Sequence, residues 1–303
     1  MKLTFGKLTL WFLTAAFFTG TAAAQKKEGQ TARPSKSVIF AVIDSGRVIE
    51  PIGILSAGRF DVENDEPEDM AAFAVKYYKA GASYPMIFSG VKAGTVTVKK
   101  SNIGTDCGGS TAEVTVTPSS SKLSGIVMAL ASDLKIVPDA KGYRRRPTAT
   151  ERSEIDSMVR AAFKKEGAPQ SSLRNLRYHN LTAVDVEGDD LPEFIGTYWI
   201  ATSLKERQLM FFIAERNRSG ALSISYSDHS VVKADDLMSG DIKDLESGIV
   251  SELLIDLLDY DNDGVKEIFT VLKAFEGNNY YVYKRDAGKW LKVRETYVYR
   301  CAY

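Results

Sequence analysis

Residues 259–267 read DYDNDGVKE, and this stretch decides how the C-terminal half of the chain is interpreted. It places aspartates at positions one, three and five of a nine-residue loop, glycine at position six and glutamate at position nine. Carboxylates on alternate residues converge when the backbone wraps around a point, and glycine permits the positive φ that such a turn needs. Hard oxygen ligands of this kind favour Ca²⁺ over Zn²⁺ or Cu²⁺. The stretch therefore predicts a calcium loop.

The flanks of this loop argue against an EF-hand. Position twelve, where an EF-hand loop carries its bidentate acid, is Thr270. Residues 252–258 and 268–275 are rich in strand formers, whereas an EF-hand needs helices on both sides. The loop is therefore expected to join two strands.

An upstream stretch repeats the pattern. Residues 185–193 read DVEGDDLPE, with acids again at positions one, three, five and nine. Strand-like segments flank both stretches and a hairpin-like unit follows each, which predicts a duplicated strand-loop-strand-strand-strand unit. The upstream loop is the weaker candidate because Asp190 replaces glycine and Glu187 places a longer side chain at position three. For both loops the alternative is an acidic surface turn that binds no ion.

The two loops resemble the calcium loops of FG-GAP/VCBS-type repeats, the four-stranded blades of integrin-α-like β-propellers. The resemblance implies these ligands: side chains of Asp259, Asp261, Asp263 and Glu267, the carbonyl of Val265, and side chains of Asp185, Glu187, Asp189 and Glu193. Two repeats cannot close a propeller of four or more blades, so we expect two packed meander sheets. The whole chain also resembles exported bacterial proteins of this layout, a likeness that implies no activity.

Length and composition set wider bounds. The chain has 303 residues, enough for two domains, and 44% of them are hydrophobic, which is typical of globular proteins. The 39 basic residues are balanced by 39 acidic ones. This balance argues against a nucleic-acid partner, because nucleic-acid binders usually present a strongly basic surface.

The first 24 residues have the order of a secretory signal peptide. Lys2 and Lys7 precede a short apolar run at 8–18, and small residues at 22–24 suit cleavage. The run is shorter than the ~20 residues that span a bilayer, although a retained N-terminal anchor is the alternative. We expect a protein exported to the periplasm or secreted, without a transmembrane segment after cleavage. Residues 25–36 are polar and predict a flexible tether.

Residues 37–136 predict a β-rich N-terminal domain. A helix begins at Pro67 and is stopped by Gly81. Six strand-like segments surround it: 37–43, 48–55, 84–88, 94–99, 112–117 and 125–131. This content favours a small β-barrel or sandwich carrying one helix.

A linker is predicted at 137–147, where Arg144, Arg145 and Arg146 form the sharpest basic cluster of the chain. A solvated linker is favoured over an anion or membrane-surface contact. Residues 148–303 then predict an FG-GAP/VCBS-like calcium-binding β-domain, led by a helix whose capping box is Thr148 and Glu151. The fold class is therefore β-rich α+β, with a C-terminal meander domain.

The sequence contains no strong catalytic motif. Only His179 and His229 are available as histidines, and G-x-S-x-G, H-E-x-x-H and P-loop motifs are absent. We expect an exported calcium-binding protein that acts as a non-catalytic binding or scaffolding module, with an extracellular protein or a glycan as partner. The alternative is a periplasmic metal-assisted hydrolase.

Two cysteines, Cys107 and Cys301, complete the candidate features. Export would place both thiols in an oxidising compartment, where an even cysteine count favours pairing. We therefore consider a disulfide between them, with two free or separately buried thiols as the alternative.

Overall fold

A computed structural model of the chain describes residues 36–61, 67–105, 107, 110–123, 128–135, 143–217 and 219–301. The predicted signal peptide (1–24) and nearly all of the predicted tether (25–36) lie outside the described residues. The described residues belong to one structural unit and form three antiparallel sheets. None of the helices in these ranges is long and apolar enough to cross a membrane.

The first sheet is a barrel. Its elements are β1 (Lys36–Ile43), β2 (Val48–Ser56), β3 (Arg59–Phe60), α1 (Pro67–Tyr77), β4 (Ser83–Phe88), β5 (Val91–Ser101), β6 (Ala112–Pro118) and β7 (Ala129–Ser132). The strand order is β1-β7-β4-β5-β6-β2-β3, and the pairing of β1 with β2 closes six strands into a barrel. The prediction of a β-rich fold is confirmed, and of the two N-terminal alternatives the barrel is the one found.

The second sheet contains the first predicted repeat. Its elements are β8 (Arg144–Arg145), α2 (Ala149–Lys165), β9 (Arg177–Val184), β10 (Glu193–Ser203), β11 (Glu206–Arg216) and β12 (Leu222–Lys233). We call strands β9 to β12 the first meander. The third sheet consists of β13 (Glu252–Leu258), β14 (Glu267–Ala274), β15 (Gly277–Asp286) and β16 (Lys289–Tyr299), which we call the second meander.

The sequence of strand β1 is almost continuously apolar because both of its faces are buried. Successive side chains of a strand point to opposite faces of the sheet. Val38 and Phe40 pack with Tyr77 of helix α1 in the barrel core, whereas Ile39 and Ala41 pack against the second meander. Both faces of β1 are buried, so no alternation with polar residues survives.

Helix α2 forms as its capping box predicts. The Thr148 hydroxyl accepts a hydrogen bond from the Glu151 amide, while the Glu151 carboxylate accepts one from the Thr148 amide. Ile155, Val159 and Phe163 of the helix are fully buried against the first meander. The apolar face of this helix is therefore a packing surface.

Several local predictions differ from the structure. Helix α1 ends at Tyr77 rather than near Gly81. The two-residue strands β3 and β8 were not predicted, since each is too short to show a period. The strand predicted at 125–131 is observed from Ala129 onward, while 125–127 lie outside the described residues.

Arg144 and Arg145 are not the solvated linker side chains that the sequence favours. Arg144 donates a 2.8 Å hydrogen bond to the carbonyl of Ile255 and lies 3.8 Å from the carboxylate of Asp256. Arg145 donates to both carboxylate oxygens of Glu151, at 2.6 and 2.7 Å. Arg144 also lies over the ring of Phe88 in the barrel, 4.8 Å from its centroid. Residues 137–142 of the predicted linker lie outside the described residues.

The second meander lies between the barrel and the first meander. One of its faces contributes Phe269 and Val282 to a cluster that contains Ile39 of the barrel, and the other contributes Tyr283 to a cluster with Phe211. A disulfide joins Cys107 to Cys301, with Cα atoms 5.1 Å apart, and so links the barrel to the end of the last strand. The division of the chain into two domains stays a prediction. The barrel and the second meander share one apolar cluster across the predicted boundary.

Candidate metal centre

Residues 185–193 (loop A) and residues 259–267 (loop B) occupy equivalent places in the two meanders. Each loop joins the first strand of its meander to the second, and its closing glutamate belongs to that second strand. In the strand register Val184 pairs with Glu193, and Leu258 pairs with Glu267. Each nine-residue loop therefore starts directly after a paired residue and ends on its partner.

The aspartate at position one organises both loops through the same backbone contacts. Asp185 accepts hydrogen bonds from the amides of positions five and six of loop A, both at 3.2 Å. Asp259 accepts the corresponding bonds in loop B, at 3.2 and 3.1 Å. A carboxylate that accepts two amide donors holds a short loop in one conformation without any ion.

Two further hydrogen bonds repeat between the loops. The aspartate at position five accepts from the amide of position seven at 2.9 Å in both loops. The glutamate at position nine accepts from the amide of position two, at 2.8 Å in loop A and 3.1 Å in loop B. The two loops thus share four internal hydrogen bonds, and loop A has one more, from the Gly188 amide to Asp185 at 2.7 Å.

The two loops also share their backbone conformation, although glycine occupies position four in loop A and position six in loop B. Positions four and six have positive φ in both loops: Gly188 and Asp190 in loop A, Asn262 and Gly264 in loop B. Asp190 therefore enters the left-handed region at φ 65°, as its place in the motif requires. Each loop has one glycine and one polar residue at these two positions.

The carboxylates converge only in loop B. Asp259, Asp261 and Glu267 each offer an oxygen, and these oxygens lie within 4.8 Å of one another, so the triad could hold a metal ion. Within the described residues, loop A has no equivalent group. Asp263, which the resemblance includes among the ligands, lies outside this triad.

Lys284 of strand β15 places its ammonium group against the triad. Its Nζ donates to Asp261 at 2.5 Å, to Asp263 at 2.7 Å and to Glu267 at 3.0 Å. Burial acts to lower the pKa of Lys284, but the hydrogen bonds to the three carboxylates outweigh it and hold the pKa above its usual value. The amine is therefore a cation that the chain itself supplies to loop B.

The closing glutamates are buried. Glu193 is 6% exposed and Glu267 is 1% exposed. Burial raises the pKa of each side chain to about 7, against the lowering effect of the amide at position two. For Glu267 the ammonium group of Lys284 also lowers the pKa, so burial outweighs both effects there.

Loop A is held by different cations. The longer side chain of Glu187 forms an ion pair with Arg285 of strand β15, which also contacts Glu215 at 3.1 Å. Lys266, from loop B, donates a 3.0 Å hydrogen bond to the carbonyl of Asp185. The acid at position three of loop A is therefore bound to an arginine, whereas its counterpart in loop B joins the triad.

The two basic residues of β15 were missed by sequence reasoning. Alternation along the strand provides a signal: Tyr280 and Val282 face the barrel, whereas Tyr281 and Tyr283 face the first meander. Because successive side chains of a strand point to opposite faces, Lys284 lies on the face that points to the barrel and Arg285 on the face that points to the first meander.

Loop B also contacts the barrel. A Cβ built on Gly58, in the turn between β2 and β3, would lie 3.3 Å from the Cβ of Asp261. The rings of Phe60 and Tyr260 meet edge to face with centroids 5.2 Å apart. A cavity of about 510 Å³ lies beside Asp261, and none of the described residues that line it is a histidine.

The remaining candidates lie apart from this centre or at its edge. Val265 donates its amide to Asp263 at 2.9 Å, and the role of its carbonyl as a ligand stays a prediction. His179 stacks on Trp199 with ring centroids 6.0 Å apart. His229 lies 3.3 Å from Gln208 in strand β11. Neither ring lines the cavity beside Asp261.

Comparison of this chain with protein-family models, curated proteins and solved structures finds no match. The interpretation of the two loops therefore depends on their geometry and on the motif itself.

Proposed function

We propose that this chain is an exported calcium-binding protein that acts as a non-catalytic binding or scaffolding module. Loop B is the main ion site and loop A the weaker one, in the manner of FG-GAP/VCBS-type repeats. The observation that carries the proposal is the acidic triad of loop B, whose oxygens lie within 4.8 Å of one another.

The donor set of loop B suits calcium. All its candidate side-chain ligands are carboxylates, the ligand class that Ca²⁺ prefers over softer donors. The Oδ1 atom of Asp261 is buried and has no hydrogen-bond partner among the described residues. A cation would satisfy this oxygen, whose burial without a partner is otherwise unfavourable.

Lys284 sets the expected strength of the site. Calcium has to displace the ammonium group from Asp261, Asp263 and Glu267. The loss of these three ion pairs reduces the net free energy of calcium binding. We therefore expect binding in the weak range of extracellular calcium modules, about 10⁻⁴–10⁻³ M.

A scaffolding role is supported by where loop B lies. Its Asp261 abuts the β2–β3 turn of the barrel, and its Tyr260 packs on Phe60. An ion in loop B would stiffen the contact between the barrel and the second meander. Tyr297 and Tyr299 of β16, 48% and 50% exposed, offer ring surface for a protein or glycan partner.

A calcium titration tests the proposal. At ~1 mM Ca²⁺ each occupied site should stabilise the protein by roughly 0.4–1.4 kcal/mol through mass action. Asp261→Ala should remove most of the calcium-dependent rise in melting temperature, whereas Glu187→Ala in loop A should remove little. Melting would be followed in excess chelator and in millimolar calcium, with magnesium as the ion control.

Equal melting temperatures in chelator and in calcium, with no ion bound by native mass spectrometry, would refute the calcium site. A rise that survives Asp261→Ala but is lost in Glu187→Ala would assign the main site to loop A instead.

A further inference from the structure

A second cavity lies away from both acidic loops. It has a volume of about 800 Å³ and is bounded by the β1–β2 turn, residues 238–249 and the hairpin between β14 and β15. Its volume is in the range of about 300–1,000 Å³ that is usual for small-molecule sites. None of the candidate calcium ligands lines it.

The floor of this cavity is a fixed polar network. Glu50 is fully buried, and its carboxylate accepts hydrogen bonds from Asn278, Tyr280 and Arg300. Asn278 and Arg300 also line the cavity, and Arg300 forms an ion pair with Asp44 at 2.9 Å. The polar groups at the floor are thus bound to one another in advance, which gives the cavity a defined shape without a ligand.

Apolar side chains form the walls. Phe275, Ile249 and Met128 are half-buried there, and Met238 stands 65% exposed. An exposed methionine beside a cavity offers adaptable apolar contact, because its unbranched side chain can follow the shape of a ligand. The walls therefore suit a hydrocarbon chain.

The charged groups at the mouth differ in their partners. Asp44 pairs with Arg300, which also binds the buried Glu50. Asp244 accepts a 2.5 Å hydrogen bond from the hydroxyl of Ser239 and keeps its negative charge. Arg47 and Lys273 are both exposed, and neither has an ion-pair partner among the residues that the structure describes. Arg47 uses only its Nε atom, in a hydrogen bond to the Asp44 carbonyl. Two cations without an ion-pair partner in the described part of the chain thus border the cavity, and they are available to a ligand that carries its own negative charge.

We propose that this cavity binds a small amphipathic carboxylate, with its head group at Arg47 and Lys273 and its hydrocarbon chain against Phe275, Ile249 and Met238. Charge-assisted hydrogen bonds to the head group supply the preference for an anion, and the apolar walls add affinity only for a ligand that carries a hydrocarbon chain. The site is independent of the calcium proposal, since it shares no residue with either loop.

Isothermal titration with decanoate tests this site. Decanoate should bind with one-to-one stoichiometry, whereas acetate, which lacks the chain, and decyltrimethylammonium, which reverses the charge, should not bind. The double variant Arg47→Gln/Lys273→Gln should weaken decanoate binding by at least about tenfold. Lys289→Gln, an exposed lysine of β16 that does not line the cavity, is the matched control and should leave binding unchanged.

Methionine-methyl NMR supplies a second readout that does not depend on the charge variants. Decanoate should shift the methyl signals of Met128 and Met238 while leaving that of the barrel-core Met86 in place. Equal binding of decanoate and decyltrimethylammonium, undiminished binding in the double variant, or no binding to the wild-type protein would each overturn the proposal. Running the titration in chelator separates failure of this site from failure of the calcium site.

Discussion

The two loops have the same backbone and different chemistry. Loop A and loop B share four hydrogen bonds and two positive-φ positions, yet a triad of carboxylates forms only in loop B. The difference lies at position three, where Glu187 reaches Arg285 and Asp261 stays within the loop. A loop conformation that suits an ion is thus not sufficient for a site. The acid at position three and the cation that it meets both differ between the loops, with Lys284 at Asp261 and Arg285 at Glu187.

The sheets that carry the loops are covered by different neighbours. The second meander lies between the barrel and the first meander, whereas the first meander lies between the second meander and helix α2. Glu252 and Tyr178 occupy the same place relative to the first aspartate of their loops, yet Glu252 is 5% exposed and Tyr178 is 44% exposed. Position within the protein, rather than within the repeat, therefore sets the environment of these side chains.

The largest expected effect comes from this buried glutamate. Burial raises the pKa of Glu252 to about 7, against hydrogen bonds from Thr270 at 2.6 Å and Tyr283 at 2.8 Å that lower it. Between pH 4.5 and 7 the folded protein holds a proton that the unfolded chain has released, so this group makes the free energy of unfolding fall as pH rises. Glu252→Gln should remove that fall, on the order of 3 kcal/mol.

The measurement is urea unfolding of the wild type and the variant across this pH range, with the exposed Glu295→Gln as control. The difference between Glu252→Gln and wild type should grow with pH, while Glu295→Gln should track the wild type. A pH-independent difference would show that Glu252 does not titrate in this window.

The contrast between the two loops can be tested by removing the basic side chain that contacts each of them. Lys284→Met removes the ammonium group that competes with calcium, so the affinity of loop B should rise by at least about tenfold. Arg285→Met removes the partner of Glu187 and should leave the affinity of loop B unchanged within about twofold. Calcium titration calorimetry measures both. Weaker calcium binding in a folded Lys284→Met protein would contradict competition by this lysine.

The smallest effect tests whether the loop backbones are equivalent. A Cβ at Gly188 or at Gly264 meets nothing within 4 Å, so the cost of alanine there is conformational. Gly188→Ala and Gly264→Ala should each lower the free energy of unfolding by about 1 kcal/mol, and Gly264→Asn by less, since asparagine tolerates positive φ. Chelator-containing urea titrations would measure these values. Clearly unequal alanine costs would mean that the loops differ without an ion.

Local sequence patterns were sufficient for the elements and the loops. The capping box of Thr148 and Glu151, the apolar run of β1 and the acidic spacing of both loops are all contained in short windows, so they could be predicted. Closure of the barrel and the contact of Arg144 with Asp256 join residues far apart in the chain. Such contacts depend on how the sheets pack, which no short window specifies.

The candidate site divides in the same way. The triad of loop B comes from one continuous motif, whereas Lys284 reaches it from a later strand. Whether a basic side chain at the end of a strand meets a given loop depends on the register and twist of the sheet. The sequence therefore indicated the anions of this centre and missed its cation.

The Cys107–Cys301 bridge has a mechanical consequence for both meanders. A pull applied between residue 36 and residue 301 passes along the backbone only as far as residue 107 and then crosses the disulfide directly. Residues 108–300 form a closed side branch of this covalent path, so the meanders and their acidic loops carry no tension along the chain. Along the covalent path, tension is carried by the segment that contains β1 to β5 and by the disulfide, and the two acidic loops lie outside that path.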